Sequence, residues 1–305
     1  MIILKLILFL YKKGRMGIRY LNSYLTKQCK NGICTILFDA LTNSTVVIDT
    51  SIYLYKFKSV DSLVTSMTQL IDLFQEYSIH PVFVFDGKPK INKKHTLHKR
   101  QQQKQLAWNQ YQQVLHTETP EVLQSLKKTF IRVSQRDVET IKELMDSRNI
   151  RYIQAPHEAD EVCARMMTQG TAHYCMSDDM DMFVYGCSRV LRQLNLHSKT
   201  ITLYQLEDIL KALHISLADF QMICILSGTD YSESSYTIYD YMKWYDQFIK
   251  SGKVNFYEWL LLEKRVVSLD RKEFMILSDD FNYLDPLIQQ ALPSSGSAGS
   301  CIAEG

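Results

Sequence analysis

A mostly parallel α/β sheet is the fold class this sequence predicts. From Thr45 onward, short β-branched or aromatic runs alternate with amphipathic segments. Several of the runs end in acidic residues, and in such sheets ligands bind beyond the carboxyl ends of the strands. Composition agrees: of 305 residues, 46% are hydrophobic and 22% charged, enough for one large core.

The first ten residues, MIILKLILFL, are nearly all apolar. A spanning helix needs about 20 such residues, and a secretory signal wants a basic start and a small-residue cleavage site. Residues 1–15 are therefore an extension of doubtful standing ahead of Met16, and no membrane partner is expected. TVVID (45–49) is a β-branched strand ending in Asp49. Over 61–77, Leu63, Val64, Met67, Leu70, Ile71 and Phe74 recur at helical spacing. PVFVFDG (81–87) is a second buried strand, ending in Asp86. Residues 121–148 read as mainly helical, and IRYIQA (150–155) as a strand. HEADEVCARMMTQG then suits a helix stopped at Gly170. AHYCMS (172–177) is a further strand, and RVLRQLN with TITLYQL forms a strand pair. The small, polar tail, PSSGSAGSCIAEG, places disorder over 286–305.

Seven cysteines, with no C-x-x-C pair, argue against a disulfide framework or a zinc site and for a reducing compartment. Net charge is +2, so bulk charge names no partner. Charge placement is more informative. Between Asp86 and Glu118 there is no acid, but Lys88, Lys90, Lys93, Lys94, Lys99, Arg100 and Lys104 all fall there. Residues 88–117 also lack glycine, which suits an arch of helices or a lid, with Lys93 and Arg100 on one helix face. A solvated basic face would explain the run by itself. Its place directly after a strand-end carboxylate favours contact with phosphates.

Asp49, Asp86, Glu158, Asp160, Asp179, Asp181 and Asp230 form the candidate site. Singly, each is a cap or turn residue; their repetition at strand ends makes them a set. Crowded near one point they would destabilise the fold without cations. All-oxygen donors select Mg²⁺, with Mn²⁺ as a substitute, and this many can hold two ions about 4 Å apart. Such a pair activates a water and stabilises the oxygens of an in-line phosphodiester displacement, while Lys93 and Arg100 neutralise the scissile phosphate. HEAD at 157–160 lacks the second histidine of a zinc-protease motif.

Six segments, in order, resemble the flap endonuclease/XPG family of structure-specific nucleases. They are MGI at Met16, VVIDTSIYLYKF (46–57), VFVFDGKP (82–89), APHEADE (155–161), SDDMDMFVYG (177–186) and LSGTDY (226–231), together covering about Met16 to Phe248. The resemblance implies a PIN-like (5′-nuclease) core under a helical arch. One nuclease domain would span 16–285: an N-terminal region to 120 with the arch at 88–117, an internal region to 250, and a helical part over 251–285. It implies two divalent ions and cleavage of branched, 5′-flap-like DNA in replication, repair or recombination. Asp49, Asp86 and Glu158 would hold the first ion, Asp179, Asp181 and Asp230 the second, with Asp160 bridging. Asp178, where the family usually has Glu, falls outside the ligand set. Lys93 and Arg100 match basic arch residues, Lys88, Lys94, Lys99 and Lys104 extend the DNA contact, and Tyr55 corresponds to an aromatic that stacks on a base.

Three departures qualify the match. Family members begin at the methionine matching Met16. The segment SESSYTIYDYMKWYDQF, after GTDY, lacks the glycines of the family's duplex- and K⁺-binding turn. The tail has no sliding-clamp motif, since LIQQAL lacks the aromatic pair. These features suit a compact, monomeric, divergent member of a kind a virus carries, acting inside the cell in the nucleus (the host's, in that case). Two alternatives stay open: a 5′→3′ exonuclease or PIN-type RNA nuclease on the same core, and a non-catalytic DNA-binding protein. The last would predict lost ligands, and all seven acids are present.

Overall fold

The computed structural model describes residues 18–89, 94–229 and 234–265, with Met275 and Phe281. The extension 1–15, Met16, Lys93, Asp230 and the tail 286–305 lie outside the described residues.

One sheet of seven strands organises the chain: β1 (Ile33–Leu37), β2 (Thr45–Asp49), β3 (His80–Phe85), β4 (Tyr152–Gln154), β5 (Tyr174–Met176), β6 (Arg189–Asn195) and β7 (Thr200–Gln205). Their spatial order is β1-β7-β6-β5-β2-β3-β4. The five strands from β6 to β4 pair in parallel, while β7 pairs antiparallel with both β6 and β1. The described helices are α1 (Leu21–Gln28), α2 (Thr50–Lys58), α3 (Leu63–Glu76), α4 (Lys94–Val114), α5 (Pro120–Phe130), α6 (Gln135–Ser147), α7 (Ala159–Thr168), α8 (Leu206–Leu213), α9 (Leu217–Leu226), α10 (Ile238–Ser251) and α11 (Phe256–Trp259). Among the described residues no single helix is long and apolar enough to cross a membrane.

Strand side chains alternate between two cores, as the period of two demands. Val46, Ile48, Phe83 and Phe85 join α2, α3 and α6 in one buried cluster. Val47, Val82, Val84 and Cys175 join α1, α7, α8, α9 and α10 in the other. A strand covered on both faces must be apolar throughout, which is why TVVID and PVFVF are unbroken runs. Burying each large side chain contributes roughly 1.5–3 kcal/mol.

The expected elements are present, with refinements. The helical stretch 121–148 is two helices, α5 and α6, parted by extended residues around Ile131. Ser134 opens α6 with a capping box: its hydroxyl accepts from the Asp137 N–H, and the Asp137 carboxylate accepts from the Ser134 N–H. Over the basic stretch there is a 21-residue helix, α4. It is braced on α5 by Trp108 and Tyr111, whose rings each lie 5.2 Å from Phe130. Sequence reading did not anticipate α1 or β1. ICTIL has no alternating burial, and β1 exists because its backbone pairs with β7.

Asp137 also pairs with the Lys58 ammonium of α2. Burial pushes its carboxyl up, but the Lys58 and Ser134 hydrogen bonds outweigh this and hold it down to about 2. A depressed carboxylate stabilises the fold above its ordinary value of 3.8, and that contribution is lost as pH falls towards 2. Asp137→Ala is expected to cost about 1–2 kcal/mol at neutral pH. Urea titrations should show the gap from wild type shrinking between pH 4 and pH 2 (each about the limit set by the shift).

Candidate functional site

The winding of the sheet reverses at β2, with β3 and β4 on one side and β5 and β6 on the other. Loops leaving neighbouring parallel strands diverge at such a point and open a crevice at the carboxyl edge. Asp49 is the last residue of β2 and stands at the N-terminus of α2. Asp86 directly follows β3. Glu158 and Asp160 sit at the start of α7, after β4. Asp179 and Asp181 follow β5, in a 3-10 turn at Met180–Phe183. Six of the seven predicted acids are thus delivered to one edge. The seventh, Asp230, is outside the described residues, just beyond α9.

Specific partners orient these carboxylates. Asp86 accepts from the Ser51 hydroxyl at 2.5 Å and from the Ala159 N–H at 2.8 Å, so it caps α7 where the helix dipole favours negative charge. Gly87 allows that approach: a Cβ there would lie 2.1 Å from the Ala155 carbonyl oxygen. The Ser177 hydroxyl donates to Asp49 Oδ2 at 3.2 Å and accepts from the Asp179 N–H at 3.1 Å, joining the β2 and β5 loops. Asp179 Oδ1 in turn accepts from the Asp181 N–H at 3.0 Å. Burial first, and then the charge of Asp181, push the Cys224 thiol on α9 up.

Asp49, Glu158, Asp179 and Asp181 are all buried. Burial, with the charges of Asp86 and Asp179, pushes the Asp49 carboxyl up to about 8; a hydrogen bond from Ser177 and one shared with Asp160 recover only part of this. The donors at this edge are oxygens. His157, the nearby histidine, turns its Nδ1 to the Lys88 carbonyl. Among the described residues no three His, Cys, Asp or Glu side chains are disposed to enclose an ion. The donor chemistry and the raised Asp49 fit a hard divalent cation.

Asp178 turns away from the edge. Its Oδ1 accepts from the Gln193 N–H at 2.8 Å, and its Oδ2 lies 3.9 Å from the Lys56 ammonium. Beside Asp86 opens a cleft of about 580 Å³, lined by Ser51, Tyr55, Lys88, Gln135 and Gln154 among others. Tyr55 is 43% exposed, and the Lys104 ammonium sits 4.7 Å over its ring, so α4 leans across α2. Lys94, Lys99 and Arg100 lie on α4, while Lys93 falls outside the described residues.

A model of the XPG N-terminal domain matches residues 16–107, and one of the XPG I-region matches 149–230. Together they span more than half of the chain and contain all seven acids. The chain belongs to the flap endonuclease/XPG family. Flap endonuclease 1 of Methanococcus aeolicus is 36% identical over 154 residues, 50% of this chain and 47% of the relative. That of Theileria parva is 30% identical over 237 residues, 72% of this chain and 48% of the relative. The chain spans about half the length of these relatives. Among solved structures, the catalytic core of Rad2 in complex with DNA substrate aligns with a TM-score of 0.61 at 19% identity, over 85% of each chain. Human GEN1 in complex with Holliday junction DNA aligns at 0.62 and 15%, over 88% of this chain and 67% of that one. Flap endonuclease-1 from Methanococcus jannaschii aligns at 0.55 and 23%, over 83% of both. This chain shares their PIN-like fold.

Within that XPG frame, Ser51, Gly87, Ser177, Arg192 and Gln193 were not singled out in the sequence. Ser51 and Ser177 lie inside the motif stretches, and a hydroxyl two residues from an acid is the only signal they offer. Their partners sit on other strands.

The raised Asp49 carboxyl sets the pH response of the cation-free chain. Folded Asp49 holds a proton that the unfolded chain releases above its ordinary value of 3.8, so stability is full below that value and lost as pH rises through about 8. Calorimetry in chelator should show the thermal midpoint falling over that window. Asp49→Asn should flatten the fall, and Mg²⁺ should raise the wild-type midpoint most at the alkaline end.

Proposed function

We propose that this XPG-family chain is a divalent-cation-dependent endonuclease that hydrolyses phosphodiester bonds in branched, 5′-flap-like DNA. The observation that carries the reading is the gathering of carboxylates at the sheet's reversal point, with Asp49, Glu158, Asp179 and Asp181 buried there. Branched DNA is the substrate class because the Rad2 and GEN1 structures hold a DNA substrate and a Holliday junction. Asp49, Asp86 and Glu158 would hold one ion and Asp179, Asp181 and Asp230 a second, with Asp160 available to both. Mg²⁺ bound there supplies Lewis acidity and a water of lowered pKa, with Mn²⁺ as a substitute.

The chain's own groups do the rest. Ser51 and the Ala159 N–H fix Asp86, and Ser177 fixes Asp49 against the Asp179 loop. The half-exposed ring of Tyr55 offers a face on which a base beside the scissile phosphate stacks. Lys88, Lys94, Lys99 and Lys104 track the phosphates, while Lys93 and Arg100 neutralise the one being cleaved. A single chain carries all these groups and acts as a monomer in an intracellular, nuclear setting. A 5′→3′ exonuclease is the second reading, favoured by the absence of glycine between Asp230 and Gly252.

Incubation with labelled 5′-flap, nicked and RNA substrates tests this, using protein begun at Met1 and at Met16. Cleavage at the flap junction is expected with Mg²⁺ or Mn²⁺ and none with chelator. Asp181→Ala should lower the rate by roughly 10²–10³ or more while leaving flap affinity largely intact. Absence of any cation-dependent product from either start sinks the proposal, and stepwise products from a nick move it to the exonuclease.

A further inference from the structure

Asp178 lies between Ser177 and Asp179, yet faces away from the carboxylate edge and is gripped from several sides. Strand β6 departs from regular geometry where it meets this residue. Its register with β7 slips between Arg192 and Asn195, and Gln193 has a φ of +56°, in the left-handed region disfavoured for a residue with a Cβ. Its N–H donates to Asp178 Oδ1 at 2.8 Å. Arg192, only 7% exposed, donates from Nη2 to the Asp178 carbonyl oxygen at 2.6 Å and from Nη1 to Asn22 Oδ1, on α1, at 2.7 Å. Asn22 Oδ1 also accepts from the Tyr204 hydroxyl at 2.7 Å, and the guanidinium lies 5.3 Å from the Tyr204 ring centre. The Lys56 ammonium, 3.9 Å from Asp178 Oδ2, donates to the Leu194 carbonyl at 3.1 Å.

A regular β6 would pair with β7 without a left-handed residue, and without an arginine taken out of water. Strain and a buried charge persist only where surrounding structure holds them in place. Here both converge on one residue, which is followed directly by Asp179 and three positions on by Asp181, two carboxylates of the candidate site.

We propose that Asp178, Gln193 and Arg192 form a clamp that holds the Ser177–Asp181 loop so that Asp179 and Asp181 face the crevice. These are positioning residues: Asp178 binds no ion itself, and Arg192 extends the clamp to α1 through Asn22. The inference rests on the reading that Asp179 and Asp181 hold a cation, and its experiment separates the two.

Mn²⁺ affinity is measured by calorimetry on the full chain, below each variant's thermal midpoint, together with hydrogen exchange of the 177–183 amides. Asp178→Ala and Arg192→Met should each weaken Mn²⁺ binding ~10-fold or more and speed exchange across that loop. Asp178→Asn keeps a side-chain acceptor for the Gln193 N–H, which Asp178→Ala removes, and should stay within about twofold of wild type. Lys56→Met, which removes the 3.9 Å charge contact and the bond to the Leu194 carbonyl but neither hydrogen bond that Asp178 accepts, should change neither readout. Unchanged affinity and exchange in Asp178→Ala overturn the clamp. So does an Asp178→Asn loss as large as that of Asp178→Ala, because Asp178 would then be a ligand. If wild type binds no Mn²⁺, the functional reading fails and exchange alone decides: faster loop exchange in Asp178→Ala supports the clamp, and no change rejects it.

Discussion

Carboxylates brought to one edge of a parallel sheet repel each other, and much of this chain's architecture answers that repulsion. The topology makes it unavoidable, since parallel strands send all their carboxyl ends the same way. Each acid is handled differently. Asp86 is stabilised by a helix N-terminus and a serine hydroxyl, and Asp179 by a backbone N–H. Asp49, buried and flanked by two like charges, keeps its proton. A cation bound at this edge, as proposed, would displace that proton and so link binding, proton release and stability in one site.

The loops that carry the acids are held by local contacts. Gly87 lets two backbones touch, Ser177 ties neighbouring loops together, and the bulge in β6 grips Asp178. Above the edge, α4 is braced by Trp108 and Tyr111 against Phe130 and touches α2 through Lys104 and Tyr55. The segment after Thr229 is used differently. Thr237 and Asp240 open α10 with a capping box, and Tyr241, Tyr245 and Phe248 go into the core. Its aromatic residues mainly support the fold, so the DNA contacts proposed for this chain fall on α2, α4 and the loop after β3.

Most of the core elements were legible because each carries its own signal. TVVID and PVFVF are strands buried on both faces, and Leu63 to Phe74 repeat with the helical period. The site was legible to the extent that acids recur at strand ends. The break near Ile131 was not, although SQRD is a capping box in plain view, because the flanking segments share one helical pattern. Nor was β1, whose residues carry no alternation and gain their strand only from pairing with β7.

By itself the sequence determined the α/β class, the acids at strand ends and the basic stretch that became α4. These depend on residues close together in the chain, where burial periodicity and charge can be read directly. Tertiary structure alone decided that β2 would be the reversal point, that Ser51 would hold Asp86, and that Asp178 would face Gln193 while Asp179 and Asp181 stayed at the carboxyl edge. Those outcomes depend on contacts between distant segments. Asp178, Asp179 and Asp181 look alike in the chain until the fold gives each different surroundings.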